Sequence, residues 1–121
     1  MNIVYVAMGG SAGSIARYYA GIWITNATGA RTPATVAVNV VGSFVIGLFL
    51  ALSVERSWSS ALVLLVAVGF LGGFTTFSTF TWQTYELIQS DQLARALLNV
   101  GFSLAAGMLA VWAGASLAKA F

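Results

Sequence analysis

Cysteine and histidine are both missing from the sequence, and only 7% of its 121 residues are charged. Without cysteine, the chain can form neither a disulfide framework nor a thiolate metal site. Without histidine, it has no imidazole to relay protons near neutral pH. Soft-metal chemistry and hydrolytic triads are therefore excluded. The five basic residues are scattered singly, so no basic run indicates binding to nucleic acid or to anionic lipid.

What the chain has instead is apolar surface, because 60% of its residues are hydrophobic. That fraction lies far above the range of soluble domains and predicts an all-α, multi-pass membrane protein. We do not expect a cleaved signal peptide, because the first apolar run lacks a basic flank and apolar runs recur along the chain. We predict one transmembrane domain over residues 1–121, with helices at about residues 2–24, 34–54, 60–89 and 93–119.

The basic residues in the short loops divide almost evenly between the two sides of the membrane. The N-terminus, Arg56 and Lys119 would lie on one side, and Arg31 and Arg95 on the other, together with Arg17 if that residue reaches the interface. Basic loop residues set the orientation of a membrane protein. An even division allows insertion in both orientations and an antiparallel, dual-topology dimer; it equally allows one orientation fixed by something weaker than charge. The short loops predict that successive helices pack antiparallel in one bundle.

Small residues spaced four apart occur in the first, third and fourth predicted helices. This spacing lets helix backbones approach closely in lipid. The pairs are Gly9/Gly13, Gly69/Gly73, Ser103/Gly107 and Ala110/Gly114. We assign most of them to helix packing.

The third predicted helix contains the segment GGFTTFSTF, residues 72–80, which predicts a break near residues 72–76. Gly72 and Gly73 weaken the helix, and hydroxyl side chains can cap a new one. The hydroxyl residues are Thr75, Thr76, Ser78 and Thr79. Carbonyls freed at the end of the first half suit a hard monovalent cation, whereas N–H groups at the start of the second half favour an anion.

Phe77 and Phe80 are three residues apart and therefore share one face of the second half-helix. The edges of aromatic rings carry partial positive charge, so two edges can contact an anion without trapping it. Two phenylalanines at this spacing ordinarily indicate packing. Beside a hydroxyl-rich break, packing and contact with an anion are equally favoured interpretations.

Four further polar residues fall inside apolar runs, where unpaired polar groups are costly. Arg17 is either an interface anchor or an anion-attracting residue of a vestibule. Asn39 either bonds a neighbouring helix or lines a pore. Asn99 and Ser103 lie one turn apart on the fourth helix, a matching polar feature that favours the pore interpretation for both helices.

Three segments together resemble the Fluc/CrcB family of small fluoride channels. They are GGSAGSIARYY in the first helix, TVAVNVVGSFVIG in the second and GFLGGFTTFSTFTW in the third. Their order and spacing match over nearly the whole chain, and the third segment is the most specific. The resemblance implies an antiparallel dimer of four-helix subunits with two fluoride pores at the subunit interface and a structural Na⁺ on the two-fold axis.

The resemblance also implies roles for individual residues. Phe77 and Phe80 are similar to the family's paired pore phenylalanines, and Asn39 to its pore asparagine. The carbonyls of Gly72 and Thr75 are similar to those that hold Na⁺. The hydroxyl track and the vestibule arginine correspond to Ser78, Thr79 and Arg17.

Two departures from the family pattern concern the pore. Related channels usually carry a glutamate where this chain has Gln83; the nearest glutamate of this chain is Glu86, one turn later. On the fourth helix, related channels continue a row of hydroxyl residues where this chain has Gly107 and Val111. Both departures are compatible with drift in a working homodimer, the interpretation we favour. They are also compatible with a heterodimer in which this chain contributes part of one conduit with a related subunit.

Two other functions compete with a channel. A small dual-topology multidrug or cation exporter needs a carboxylate in its first helix, and residues 3–24 contain none. A non-conducting assembly subunit would leave the polar residues of the spans without use. The sequence therefore predicts a passive fluoride channel of the plasma membrane that exports fluoride and confers resistance to it. Permeation has no covalent step, so we do not expect an enzyme.

Overall fold

The computed structural model describes residues 1–121 and is entirely helical. Helix α1 spans Asn2–Thr28 and ends at Gly29, whose φ of 73° is the left-handed conformation that glycine adopts without strain. Helix α2 spans Arg31–Glu55. The prediction of an all-α protein built from four helices is confirmed, with the third helix in two parts.

The first part of the third helix, α3, covers residues 60–74 and changes its winding along its length. It begins as an α-helix at Ser60–Val63, continues as a π-helix at Leu64–Leu71, and closes with an α-helical turn at Gly72–Phe74. Ser59 caps its start, because the Leu62 N–H donates to the Ser59 hydroxyl over 3.3 Å. The π-helical stretch, which lies directly before the break, was not predicted from the residue pattern.

Helix α4, Phe77–Gln89, is the second part of the third helix, and α5 spans Leu93–Ala118. The closest helix pairs are α1 with α3 and α2 with α5. The members of each pair run parallel. The first and third helices cross the bundle in one direction, and the second and fourth helices, α2 and α5, cross it in the other. Successive helices do contact each other as antiparallel neighbours, but less extensively.

Glycines form the contact between α1 and α3. A Cβ atom on Gly9 would overlap the Leu65 carbonyl oxygen, and one on Gly13 would overlap the Phe70 carbonyl oxygen. Only a residue without a side chain permits this approach of two backbones. The packing role predicted for Gly9 and Gly13 is confirmed.

Most of the apolar surface faces outwards. Only 17 of the 121 residues are buried, and large hydrophobic side chains such as Trp23, Leu98 and Trp112 are mostly exposed. Three helical segments are long and apolar enough to cross a membrane: Arg31–Glu55, Ser60–Gln89 and Leu93–Ala118. Helix α1 is as long as these, but its glycine and serine run and Arg17 make it more polar. A surface of this kind requires lipid or another protein around it.

Candidate functional site

The break predicted in the third helix lies at Thr75 and Thr76. Both residues have extended backbone, with φ and ψ of −86° and 161° at Thr75 and −152° and 123° at Thr76. The hydroxyl of Thr75 donates to the Leu71 carbonyl over 2.9 Å. Thr76 is the N-cap of α4, because its hydroxyl accepts from the Thr79 N–H over 3.3 Å. The Thr76 hydroxyl therefore starts the second half-helix, whereas the Thr75 hydroxyl bonds the same carbonyl as the Thr75 N–H in the last turn of the first.

Asn39 of α2 bonds the exposed backbone of the break with both ends of its amide. Its Nδ2 donates to the Thr76 carbonyl over 2.9 Å, and its Oδ1 accepts from the Thr76 N–H over 2.8 Å. In a continuous helix, that N–H would donate to the Gly72 carbonyl. Asn39 thus bonds a neighbouring segment, one of the two roles considered for it, and leaves the Gly72 carbonyl without its usual helical donor. Its other role, in lining a pore, stays a prediction.

Arg17 of α1 bonds the other carbonyl of the break. Its Nη1 donates to the Thr75 carbonyl over 2.9 Å in a part-buried contact. The guanidinium is directed to the break, and the roles of Arg17 as an interface anchor or as a vestibule residue stay predictions. Carbonyls at membrane depth need such partners, and here α1 and α2 each supply one.

The glycines that were expected to cause the break are helical. Gly72 has φ −62° and ψ −37°, and α3 continues to Phe74. A Cβ on Gly73 would lie 2.6 Å from the Gly10 carbonyl oxygen, so Gly73 serves packing against α1. Gly72 differs, since a Cβ there would meet nothing nearer than the Ala67 carbonyl oxygen at 4.0 Å. Its face is open within this chain.

Phe77 and Phe80 lie next to each other at the start of α4, with ring centroids 5.8 Å apart and ring planes at 47°. Their surroundings differ: Phe77 is 74% exposed, whereas Phe80 is 9% exposed. The two rings form a tilted pair with one member inside the chain and one on its surface. Contact of the ring edges with an anion stays a prediction.

Two polar grooves meet at the break, and a third lies apart from it. The first, which we call the arginine groove, has a volume of about 420 Å³, and its charged and polar lining residues are Arg17, Tyr18, Thr25, Asn26, Arg31, Thr35, Thr76, Thr79 and Gln83. The second, the break groove, has a volume of about 290 Å³ and is lined by Asn39, Gly42, Ser43, Ile46, Ala67, Leu71, Gly72, Thr75, Thr76 and Phe77. Thr76 lines both.

Most of the residues predicted at the third helix and its neighbours line one or the other of the two grooves. The break groove brings together Asn39, Gly72, Thr75 and Phe77, and the arginine groove brings together Arg17 and Thr79. Ser78 is exposed beside Thr76, with the two hydroxyl oxygens 3.4 Å apart. Phe80 lines neither groove.

Asn99 and Ser103 lie away from the break. The Asn99 Nδ2 donates to the Thr84 hydroxyl over 2.9 Å, and Asn99 lines a third groove with residues of α2 and α5. Asn99 Oδ1 and Ser103 Oγ are both buried and lack a hydrogen-bond partner within the chain. Buried polar atoms of this kind ordinarily find a partner, so the chain leaves two polar atoms of α5 unsatisfied.

Sequence reasoning missed the central position of Thr76 and the contact made by Thr84. It also gave no role to Ser43, whose hydroxyl lies 3.6 Å from the position of a Cβ on Gly107. Ser43 of α2 therefore places a hydroxyl beside Gly107, a position of α5 where the family pattern has a further hydroxyl residue. The signal for Ser43 was its place one turn after Asn39 on the same helix face.

This construction, a polar site on an interrupted helix inside an apolar helical bundle, defines the class of multi-pass membrane proteins that bind or conduct small ions. The chain belongs to a family within that class. The family described as CrcB-like protein, Camphor Resistance (CrcB), matches residues 4–115.

Its relatives are similar over almost their entire length. A protein of Acidobacterium capsulatum is 46% identical over 116 residues, which cover 94% of this chain and 93% of the relative. One from Solibacter usitatus is 46% identical over 125 residues, covering 98% and 99%. One from Thermus thermophilus is 46% identical over 110 residues, covering 90% and 87%. Each of these relatives is named fluoride-specific ion channel FluC.

Proposed function

We propose that this protein is a fluoride-selective channel of the plasma membrane, through which fluoride leaves the cell passively. The observation that carries the proposal is the match to channels of that name over nearly the whole chain. The break at Thr75 and Thr76, held by Arg17 and Asn39, supports it, because it places oriented donors inside an apolar bundle. Permeation breaks no covalent bond, so the activity is transport and not catalysis.

The proposed path begins in the arginine groove, where Arg17 attracts the anion, and the Thr79 hydroxyl and the edges of the Phe77 and Phe80 rings then replace part of its water shell. A small anion approaches such donors closely, whereas a larger chloride ion does not. Asn39 and Ser78 complete the path at the break. Asn99 and Ser103, with their unpartnered buried atoms, line it at α5.

We propose that two copies assemble as an antiparallel dimer and that all four helices cross the membrane. The open face of Gly72 and the exposed ring of Phe77 lie in the same groove, which one chain leaves uncovered. A second copy in the opposite orientation would cover it and would complete a path on each side of a two-fold axis. The even distribution of basic residues supports insertion in both orientations.

We further propose that the dimer holds a structural Na⁺ with the carbonyls of Gly72 and Thr75. Carbonyl oxygens suit a hard cation. The Gly72 carbonyl fits, because its usual donor has been taken by Asn39. The Thr75 carbonyl already accepts from Arg17, so it would share its second lone pair with the ion. One chain supplies too few ligands, and the others would come from the second copy.

The test is reconstitution of this chain alone into liposomes loaded with fluoride, followed by a fluoride-selective electrode. We expect fluoride efflux after addition of a potassium ionophore, and no chloride efflux from matched liposomes. Protein-free liposomes are the control. Flux that appears only when a related subunit is added would identify a heterodimer, and no flux under either condition would contradict a channel.

A proton-coupled exporter of cations, the chief rival function, is not favoured by any observed feature. No acidic residue occurs in α1, and the groove that reaches the break contains arginines rather than carboxylates. Uptake of a cationic dye driven by a proton gradient, measured in the same liposomes, distinguishes this rival from the channel.

A further inference from the structure

The arginine groove holds two positive charges and no negative one among its lining residues. Arg17 lies at its inner end, at the break, and Arg31 lies at the other, at the start of α2. Clefts lined by charge of one sign focus the electric field and raise the local concentration of the opposite ion. The groove therefore carries positive charge at both of its ends and not only at Arg17.

The start of α2 adds to this potential. The helix begins at Arg31, has no acidic residue in its first turn, and has no side chain bonded as a cap. Ala34, in the first turn, and Thr35, directly after it, line the groove. The free N–H groups at the start of a long helix carry partial positive charge. That charge lies at the same end of the groove as the Arg31 guanidinium.

Gln83 forms part of the wall of the groove. It is 6% exposed, and its Oε1 is buried without a hydrogen-bond partner. An amide oxygen accepts hydrogen bonds, so this atom would bond a donor such as water and not an anion. The attraction of the groove for anions therefore comes from its arginines.

Glu86 holds Arg31 only loosely. The Arg31 Nη2 lies 3.4 Å from one carboxylate oxygen of Glu86 and 3.5 Å from the other, and the two side chains are 70% and 38% exposed. Exposed ion pairs at such distances are weak and are screened by salt. An anion that enters the groove can therefore compete with Glu86 for the guanidinium.

We infer that Arg31 is the outer capture residue for anions at the mouth of the arginine groove, and that Glu86 limits this capture by pairing with it. The inference rests on the proposed fluoride channel and adds an entry step to it. Arg31 raises the rate at which fluoride reaches Arg17. It does not select fluoride over chloride, because selection occurs where the ion loses its water, deeper in the path.

The experiment measures initial fluoride efflux from liposomes at about 10 mM and at about 1 M ionic strength, where the Debye length is about 30 Å and about 3 Å. We expect Arg31→Gln to lower the rate roughly tenfold at low ionic strength, the lower end of the range of electrostatic steering, and to match wild type at high ionic strength. Glu86→Gln is expected to raise the rate at low ionic strength. Arg31→Lys, which keeps the charge, is expected to stay near wild type.

Arg95→Gln is the matched control. Arg95 lies at the start of α5, which runs parallel to α2, so it lies on the same side of the membrane as Arg31 but lines a different groove. We expect no change in its rate. Wild-type rates for Arg31→Gln at low ionic strength would overturn the inference, as would an equal loss in Arg95→Gln. A wild-type chain without any flux would instead contradict the proposed channel.

Discussion

Single side chains replace the helical hydrogen bonds that the break removes. Asn39 satisfies both the N–H and the carbonyl of Thr76, and Arg17 satisfies the carbonyl of Thr75. Each unsatisfied backbone group in hydrocarbon would cost several kcal/mol. These bonds therefore make an extended segment stable at membrane depth. The same two residues reach the grooves that meet at the break, so the groups that stabilise the break also determine its polarity.

At the residue scale, we predict that replacing either Phe77 or Phe80 with isoleucine slows fluoride efflux. Phe77→Ile and Phe80→Ile keep apolar bulk but remove the ring edge, and we expect about tenfold lower rates, equivalent to about 1.4 kcal/mol of barrier. The measurement is electrode-recorded efflux, with assembly checked by gel filtration.

Phe121→Ile is the control for this prediction, because Phe121 is 75% exposed at the end of the chain and lines none of the three grooves. It is expected to conduct like wild type. Unchanged efflux in both Phe77→Ile and Phe80→Ile would remove the ring edges from the mechanism.

The sequence predicted the residue types at the break more accurately than their contacts. The hydroxyl residues indicated a cap, and Thr76 provides it. Gly72 and Gly73 indicated the position of the break, but both are helical, because Gly73 is needed for contact with α1 and the extended residues follow Phe74. A glycine has the same appearance in a sequence whether it is required for flexibility or for close packing.

At the scale of helices, two parallel pairs organise the chain. Glycines join α1 to α3, and a second contact of this kind joins α2 to α5, where a Cβ on Gly114 would overlap the Phe44 carbonyl oxygen. Where two helix backbones touch directly at glycines, the position of one helix along the axis of the other is closely fixed. The position of α1 along the axis of α3 places Arg17 within reach of Thr75.

We predict that Gly13→Ala strongly destabilises the protein, whereas Gly21→Ala does not. The added methyl at Gly13 would overlap the Phe70 backbone, but a Cβ on Gly21, in the same helix, meets nothing within 4 Å. Overpacking costs about 1–3 kcal/mol, and removing a helical glycine gains up to about 1 kcal/mol.

Thermal unfolding in detergent, followed by circular dichroism, measures both variants. A midpoint that falls for Gly13→Ala and stays level or rises for Gly21→Ala is expected. Equal midpoints would show that the close contact of α1 and α3 does not contribute to stability.

At the scale of the whole molecule, the proposal of a dimer rests on the surface that a single chain leaves uncovered. The chain buries few of its residues and leaves the break groove uncovered. Lipid can cover the apolar surface, but it cannot bond the polar groups of the groove. A second protein surface satisfies both requirements, which is the physical basis for the proposed dimer.

We predict that Gly72→Ala weakens the dimer about tenfold. The chain itself has room for the methyl group, since nothing lies nearer than 4.0 Å, so any cost arises from a partner or an ion across the groove. A tenfold change corresponds to about 1.4 kcal/mol. The measurement is the dimer fraction by crosslinking at several protein-to-lipid ratios, in Na⁺ and in a large organic cation.

The control is Gly101→Ala, because Gly101 also has nothing within 4 Å but lies on α5 away from the break. It is expected to dimerise like wild type. If Na⁺ contributes, replacing it weakens the wild-type dimer and has less effect on Gly72→Ala. An unchanged dimer for Gly72→Ala would argue against both the interface and the cation at this position.

The sequence by itself determined the membrane environment, the all-helical class, the interrupted third helix and the family. These properties depend on hydropathy, on spacing along one segment and on the residue types of short motifs, all of which are local. The tertiary structure alone decided which groups meet. Arg17 and Thr75 are 58 residues apart, and Asn39 and Thr76 are 37 apart. Such contacts depend on the relative heights of packed helices, which no single segment encodes.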